Sequence, residues 1–572
     1  MQRDACVDTE CWLGFEGPCE GRKEVRCWQP GHGGRTVAPG SDLPGQVQRE
    51  QNGSPCEQGF RRDRVNPMVP RKRTALAGGE QFLSSDPAAD CIERHGIGTE
   101  LDEQIEPDAD LNSLVCDQQG IKDAAGNETS NAKGGKQRMR TLLPGKGRIR
   151  AARVRELAVT VLVATASFAQ DLPTAKPEAV GLSSERLARI GIEVQHSIDD
   201  KRVAGAVTMV VRHGQVAWFK AQGMADREVG KAMRPDSMFR VCSMTKPITS
   251  LAVMMLYEDG RFLLDDPVSK YLPEFKNPKV LVKPAHGEPY SIPATREITI
   301  RDLLRHTSGL TYQWNADLGP LYRTANVASG LLPYDGTIED SVKRLAGLPL
   351  LFNPGDRFEY GLSVDVLGRL VEVASGKPLD EFFRERIFEP VGMKDTYFYV
   401  PDNKMDRLAT AYTYYTDKGL NRFPETPIEE GPFVYSADYP YRGARKLFSG
   451  GAGLVSTAQD YARFCLLMLE GGKLGNTRLV SRKSVELMTH DQLGKLSAEQ
   501  SFGLGFGVDG GKVPLVELGS DGAYQWGGFF YTAFSIDPKE TMVVIFMGQL
   551  HPTGGLTLDR EVRVLAYQAI ND

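Results

Sequence analysis

Tyrosine is absent from the first 138 residues of this 572-residue chain, and only 5 of its 48 aromatic residues fall there. That segment also lacks any sustained apolar period, so it cannot bury enough surface to offset the entropy of ordering it. Residues 1–138 therefore read as a disordered leader. They hold seven of the nine cysteines: Cys6, Cys11, Cys19, Cys27, Cys56, Cys91 and Cys116. The number is odd, and the spacings contain neither a CxxC pair nor a Cys/His zinc pattern. Sequence unshaped by selection explains them better than a disulfide scaffold.

Other absences narrow the function. Lys+Arg number 69 against 74 Asp+Glu, a net charge of -5, so there is no basic footprint for nucleic acid. The leader carries -6 of that charge, from 17 basic and 23 acidic residues, which leaves the remainder near neutrality. No apolar run reaches the roughly 20 residues of a stable membrane span. Beyond the leader only Cys242 and Cys465 remain, which supplies no disulfide framework.

From Met139 the chain turns basic and then runs LAVTVLVATASFA over residues 157–169, with Ser167 and Ala169 placed for cleavage before Gln170. That is the form of a secretory signal peptide. Signal peptides belong at N-termini, so Met139 reads as the natural start and residues 1–138 as no part of the natural protein. The mature chain is then expected to be periplasmic or secreted. A buried or amphipathic helix at 139–169 is the rival reading.

Residues 170–572 read as one large globular unit. The spacing of Leu187, Ile190, Val194 and Ile198 predicts a helix over 182–198. Two β-branched runs around Arg212-His213-Gly214 predict a hairpin. A helix is expected over 250–264. Residues 285–334, rich in Pro, Gly and polar side chains, read as loops around a short helix at 300–305. Further helices are expected near 338–345, 364–374, 379–388 and 454–469. Strands follow at 504–508, 516–518, 528–537 and 542–547, then a last helix at 559–570. Strands at both ends with helices between predict an α/β fold in which one sheet draws on both termini.

Ser243 and Lys246, in Arg-Val-Cys-Ser-Met-Thr-Lys-Pro, stand three residues apart where a strand-like segment enters a helix. They would share a face, with unpaired helix amides nearby to receive an oxyanion. A lysine stripped of water can take the proton that a serine must lose to attack. The same spacing at Ser130 and Lys133 has no such context and earns no weight. On the motif alone, a capping serine beside a surface lysine is the better explanation of the pair. His306 reads as a structural histidine, and Cys242 as a small packing group. No Gly-x-Ser-x-Gly occurs, which argues against a nucleophile elbow.

Several motifs in order reverse that balance. Phe239-Arg-Val-Cys-Ser-Met-Thr-Lys-Pro, Asp265-Asp-Pro-Val-Ser-Lys-Tyr-Leu-Pro, Ile300-Arg-Asp-Leu-Leu-Arg-His-Thr-Ser-Gly-Leu, Pro354-Gly-Asp-Arg-Phe-Glu-Tyr, Gly450-Gly-Ala-Gly-Leu-Val-Ser-Thr-Ala and Trp526-Gly-Gly stand in sequence. Together they resemble the serine β-lactamase and penicillin-binding-protein superfamily, in particular its class C-like branch, the family VIII carboxylesterases. The likeness covers most of residues 175–570. It implies a β-lactamase-like antiparallel sheet flanked by helices, plus a helical subdomain. It also implies a serine carboxylesterase acting on short-chain, small-molecule esters, with no metal or cofactor.

By the same resemblance Ser243 is the nucleophile, Lys246 its proton partner and Tyr360 a shared acid/base. The backbone amides of Ser243 and Phe529 form the oxyanion hole, and Trp526, Gly527, Gly528 and Leu362 border the substrate. Activity is then expected to rise toward neutral-to-alkaline pH. Two departures stand out. Leu362 occupies the place of the lactamase asparagine two residues beyond the tyrosine, and Trp526 replaces the lysine that meets a β-lactam carboxylate. Both favour an apolar ester. The alternatives are a class C-like β-lactamase or D-amino-acid peptidase, and a non-catalytic penicillin-binding-like sensor. Oligomeric state is not legible.

Overall fold

The apolar and β-branched runs on either side of Arg212-His213-Gly214 fold back as an antiparallel pair, Gly205–Arg212 against Gln215–Asp226. The computed structural model describes residues 171–572. The expected leader, its cysteines, the Ser130/Lys133 motif and the signal-like 139–169 lie outside the described residues.

The hairpin supplies the fifth and sixth strands of a seven-stranded antiparallel sheet. In spatial order the strands are Gly507–Val508, Tyr524–Gly528, Thr532–Asp537, Met542–Met547, Gly205–Arg212, Gln215–Asp226 and Lys231–Ala232. One sheet drawn from both ends of the chain is the architecture the sequence predicts. Its central strands are apolar at nearly every position because both faces are covered. Val207, Met209, Val211, Val543, Ile545 and Met547 enter one core, and Ala206, Val210, Met542, Val544 and Phe546 enter the other. This is the period of two in a pleated strand.

The smaller core lies under the helices Ser184–Asp199 and Leu558–Tyr567, which contribute Leu187, Ile190, Val194, Val562 and Ala566. The larger core joins the sheet to a helical region through Thr245–Glu258, whose residues are buried from Thr245 to Leu256. A helix apolar on every side belongs in an interior, and this one carries the motif serine's partner on its first turn.

Several boundaries differ from expectation. The central helix ends at Glu258 instead of running on to 264, because Asp259-Gly260 closes it and Gly260 takes a left-handed φ of 72°. The expected strand 528–537 is two strands with a turn at residues 529–531. Residues 516–518 form no strand, and Val516 is 84% exposed. The helix expected from 454 begins at Ala458, after a short strand Val455–Ser456 capped by Thr457. Within 285–334 the structure adds a strand, Tyr290–Pro293, and a helix, Gly319–Thr324.

The Ile300–Leu304 helix shows why its motif is rich in charge. Thr299 and Asp302 form a capping box. The Asp302 carboxylate also receives Arg296, at 2.5 and 3.0 Å, Arg305 at 3.2 Å and the Thr307 hydroxyl at 2.9 Å. Burial pushes this carboxyl up, but the hydrogen bonds from Arg296 and Thr299 outweigh it and hold it at about 2. The native carboxyl therefore binds its proton less readily than in the unfolded chain. Its contribution is complete above the ordinary value of 3.8 and disappears as pH falls toward about 2. Asp302→Ala is expected to cost about 2–3 kcal/mol at pH 7, since it removes half of a capping box and the charged hydrogen bonds from Arg296 and Arg305. Urea unfolding checks this, and a loss below about 1 kcal/mol would refute it.

Candidate active site

The short strand Phe239–Arg240 pairs with Val455–Ser456 and delivers the chain into a tight turn, Cys242–Met244, directly ahead of the central helix. Cys242 sits at φ 43°, a left-handed conformation costly for a residue with a Cβ. The strain is held in place by burial, and it presents the partly exposed Ser243 at the head of the helix.

Helical side chains lean toward the N-terminus, so Lys246 reaches back over Ser243. Its Nζ lies 3.3 Å from Ser243 Oγ and donates to the Tyr312 hydroxyl and the Gly451 carbonyl, each at 2.9 Å. Lys246 is fully buried. The motif pair is thus brought together inside the protein, not left as a cap and a surface lysine.

Tyr360 packs against the same amine, which lies 4.6 Å from its ring centroid. Its hydroxyl accepts a hydrogen bond from Trp526 Nε1 at 3.2 Å, whereas the hydroxyl bonded to Lys246 is that of Tyr312. Tyr312 is the residue that sequence reasoning missed. It lies in the loop after His306-Thr-Ser-Gly, and the one available signal was a Tyr-x-Trp pair amid loop residues. Burial, then Tyr360, Asp365 and Cys242, push the Tyr312 hydroxyl well above its ordinary value, so it stays protonated.

His306 is buried, tilted against Tyr360 with ring centroids 4.8 Å apart, and its Nδ1 accepts from the Gly361 amide at 3.3 Å. Burial, then Lys246, hold it well below the usual imidazole value. A neutral ring that braces Tyr360 matches the structural reading. Cys242 is likewise buried, and burial pushes its thiol up to about 11. It is a packing group, as expected.

The strand Tyr524–Gly528 forms the facing wall. Gly528 is required there: a Cβ would overlap the Val241 carbonyl and the Thr532 hydroxyl, closing off the turn that carries Ser243. Gly527 is exposed beside it, and Phe529 follows, buried, in the turn to the next strand. Trp526 is half-buried against Tyr360 and Phe502, with centroids 5.4 and 5.1 Å away. Trp314 lies 4.3 Å from Tyr312 and 5.2 Å from Phe433, which in turn is 5.9 Å from Phe529. The surroundings of Ser243 are therefore aromatic. Leu362, expected beside the substrate, is instead 1% exposed in the main core at the start of the Ser363–Ser375 helix. The Tyr412–Tyr415 run is a hairpin strand, and Tyr412 donates to Glu228.

Among the described residues no cluster of His, Cys, Asp and Glu is placed to hold a metal ion, and no helix is long and apolar enough to cross a membrane.

The sequence model of the Beta-lactamase family matches residues 193–568. Esterase EstB of Burkholderia gladioli is 33% identical over 383 residues, 65% of this chain and 92% of EstB. The solved structure of EstCE1, a hydrolase with promiscuous acyltransferase activity, superposes with a TM-score of 0.58 at 29% identity, covering 68% of this chain and 99% of that one. Simvastatin synthase from Aspergillus terreus, at 22% identity and a TM-score of 0.56 over 68% of this chain and 98% of its own, shares the fold.

Proposed function

This chain belongs to the beta-lactamase family, a serine hydrolase on the side of the family VIII esterases that its motifs resemble, and from that membership we propose that it is a carboxylesterase acting through an acyl-enzyme on Ser243. The observation that carries the reading is the buried Lys246 amine within 3.3 Å of the Ser243 hydroxyl, beside an aromatic wall where a β-lactam carboxylate would need a cation.

In this mechanism Lys246 takes the hydroxyl proton as Ser243 Oγ bonds to the ester carbonyl carbon. The developing oxyanion turns to the Ser243 and Phe529 amides. Collapse expels the alcohol, which recovers the proton from Lys246 with Tyr360 sharing the acid/base work. Water then attacks the acyl-enzyme by the same route in reverse and releases the acid. Tyr312 holds the Lys246 amine in place by its hydrogen bond. The substrate is a small-molecule ester with an uncharged acyl group, for which Trp526 provides apolar surface.

Substrate choice tests the reading. A chromogenic cephalosporin presents a carboxylate, and Trp526 stands here in place of the lysine that meets it in the lactamases. The loss of such a charge-assisted hydrogen bond is worth about 1.5–3 kcal/mol, or roughly ten- to a hundredfold in rate. Catalytic efficiency on p-nitrophenyl butyrate is expected to exceed that on the cephalosporin, and Trp526→Lys to shift the ratio toward the β-lactam. A cephalosporin handled as well as the ester by the wild type overturns the proposal. A single stoichiometric burst with no turnover on either substrate would mark an acylated sensor instead.

A further inference from the structure

Gly451 is held from two directions. Its carbonyl accepts from Lys246 Nζ at 2.9 Å, and its N–H donates to Asp365 Oδ1 at 3.3 Å. The same carboxylate oxygen receives the Ser449 hydroxyl at 2.5 Å, and Ser449 Oγ accepts from the Ala452 amide at 3.1 Å. Asp365 thereby ties down the whole 449–452 loop from the first turn of the Ser363–Ser375 helix. The loop is shaped to it, since a Cβ at Gly451 would overlap Asp365 Oδ2. That second oxygen is buried and has no hydrogen-bond partner among the described residues.

Burying a carboxylate with one oxygen unsatisfied is expensive, and a scaffold role alone would be served by a neutral acceptor. A nearby buried amine that takes up a proton during the reaction changes the account. The titratable groups facing Lys246 are Tyr312, Tyr360, His306, Cys242 and Asp365. Burial keeps the Tyr312 hydroxyl and the Cys242 thiol protonated and His306 neutral. Glu359 is turned away, toward Thr311 and Arg357. Among these groups Asp365 is the one carboxyl that faces the amine. Burial raises its proton affinity above the ordinary carboxyl value, and Ser449, Lys246 and the Gly451 amide offset that rise only in part.

We propose that Asp365 is the positioning residue of this site: it fixes the Gly451 carbonyl that aims Lys246 at Ser243, and it supplies the negative charge that balances Lys246 once the Ser243 proton has moved there. The inference rests on Lys246 acting as the base. In the proton transfer the Oγ–H bond breaks, the Nζ–H and Oγ–C bonds form, and the positive charge appears on a fully buried nitrogen. Asp365 acts on that charge through the Gly451 residue without touching the ester.

The test is the pH profile of kcat/KM on p-nitrophenyl butyrate for the full chain, with Asp365→Asn, Ser449→Ala and Lys246→Ala beside the wild type. Asparagine keeps an Oδ1 acceptor for Ser449 and Gly451 but removes the charge. Asp365→Asn is expected to lower the plateau about tenfold and to move the acidic limb about one pH unit downward, because the protonated amine has lost its counter-charge. Ser449→Ala, which weakens the hold on the carboxylate, shifts the limb the same way by less, and decides the matter if Asp365→Asn does not fold. A uniform fall in rate with an unmoved limb shows a scaffold only and overturns the proposal. The Lys246→Ala arm separates the two levels. An active Lys246→Ala removes the base assignment and this inference with it, whereas an inactive Lys246→Ala with unmoved limbs in the other two variants overturns this inference alone.

Discussion

Ser243→Ala is expected to abolish ester turnover, with kcat falling by a factor on the order of 10⁶, the scale seen when a serine hydrolase loses its nucleophile. In the proposed mechanism Oγ is the atom to which the acyl group is transferred, and no neighbour can replace it. Cys242 is one residue away, but it is buried, hydrogen-bonded to Tyr439 at 3.5 Å, and held as a thiol. Lys246→Ala should cost nearly as much, and the double variant should be no worse than either single one, since the two act as a unit. The measurement is steady-state hydrolysis of p-nitrophenyl butyrate, with circular dichroism confirming the fold. Residual turnover by Ser243→Ala within a hundredfold of the wild type would place the nucleophile elsewhere.

Tyr360→Phe is expected to lower kcat/KM by about 10²–10⁴, the usual worth of a general acid or base. Tyr312→Phe should cost less, roughly ten- to a hundredfold, because it removes one of the two hydrogen bonds that Lys246 donates away from Ser243. Geometry makes the comparison informative. The Tyr312 hydroxyl is bonded to the amine, whereas Tyr360 lays its ring beside the amine and takes the Trp526 N–H on its oxygen. If Tyr312→Phe proves the more damaging of the two, the proton travels through Tyr312 and the role given to Tyr360 is wrong. Both variants keep their rings, and thus the aromatic packing around Trp314, so folding should survive.

What the sequence disclosed and what it hid follow one physical line. The sheet drawn from both termini was legible because Gly205–Arg212, apolar from Ala206 to Val211 save for Thr208, and Met542–Met547 carry apolar runs, as strands covered on two faces do. The Ser243/Lys246 pair was legible because three residues along a helix is a local spacing. Tyr312 was not, since its hydrogen bond with Lys246 joins positions 66 residues apart in the chain. Leu362 misled for the opposite reason. Position in a motif suggested substrate contact, but an apolar side chain at a helix start went into the core. Asp365 carries no sequence signal of its own, and its significance arises only when the 449–452 loop closes on it.

The same sheet dictates an order of assembly during synthesis. Arg212 pairs with Met542 and Val207 with Met547, so the central strand pair cannot close until nearly the whole chain has left the ribosome. Until then the apolar run Gly205–Arg212 stays half-paired and prone to stick to other chains. The strand Tyr524–Gly528, which completes the wall opposite Ser243, is also among the last to emerge. On the proposed mechanism, the nascent chain carries Ser243 and Lys246 before the strand that faces them exists, and an unfinished copy is expected to be inactive.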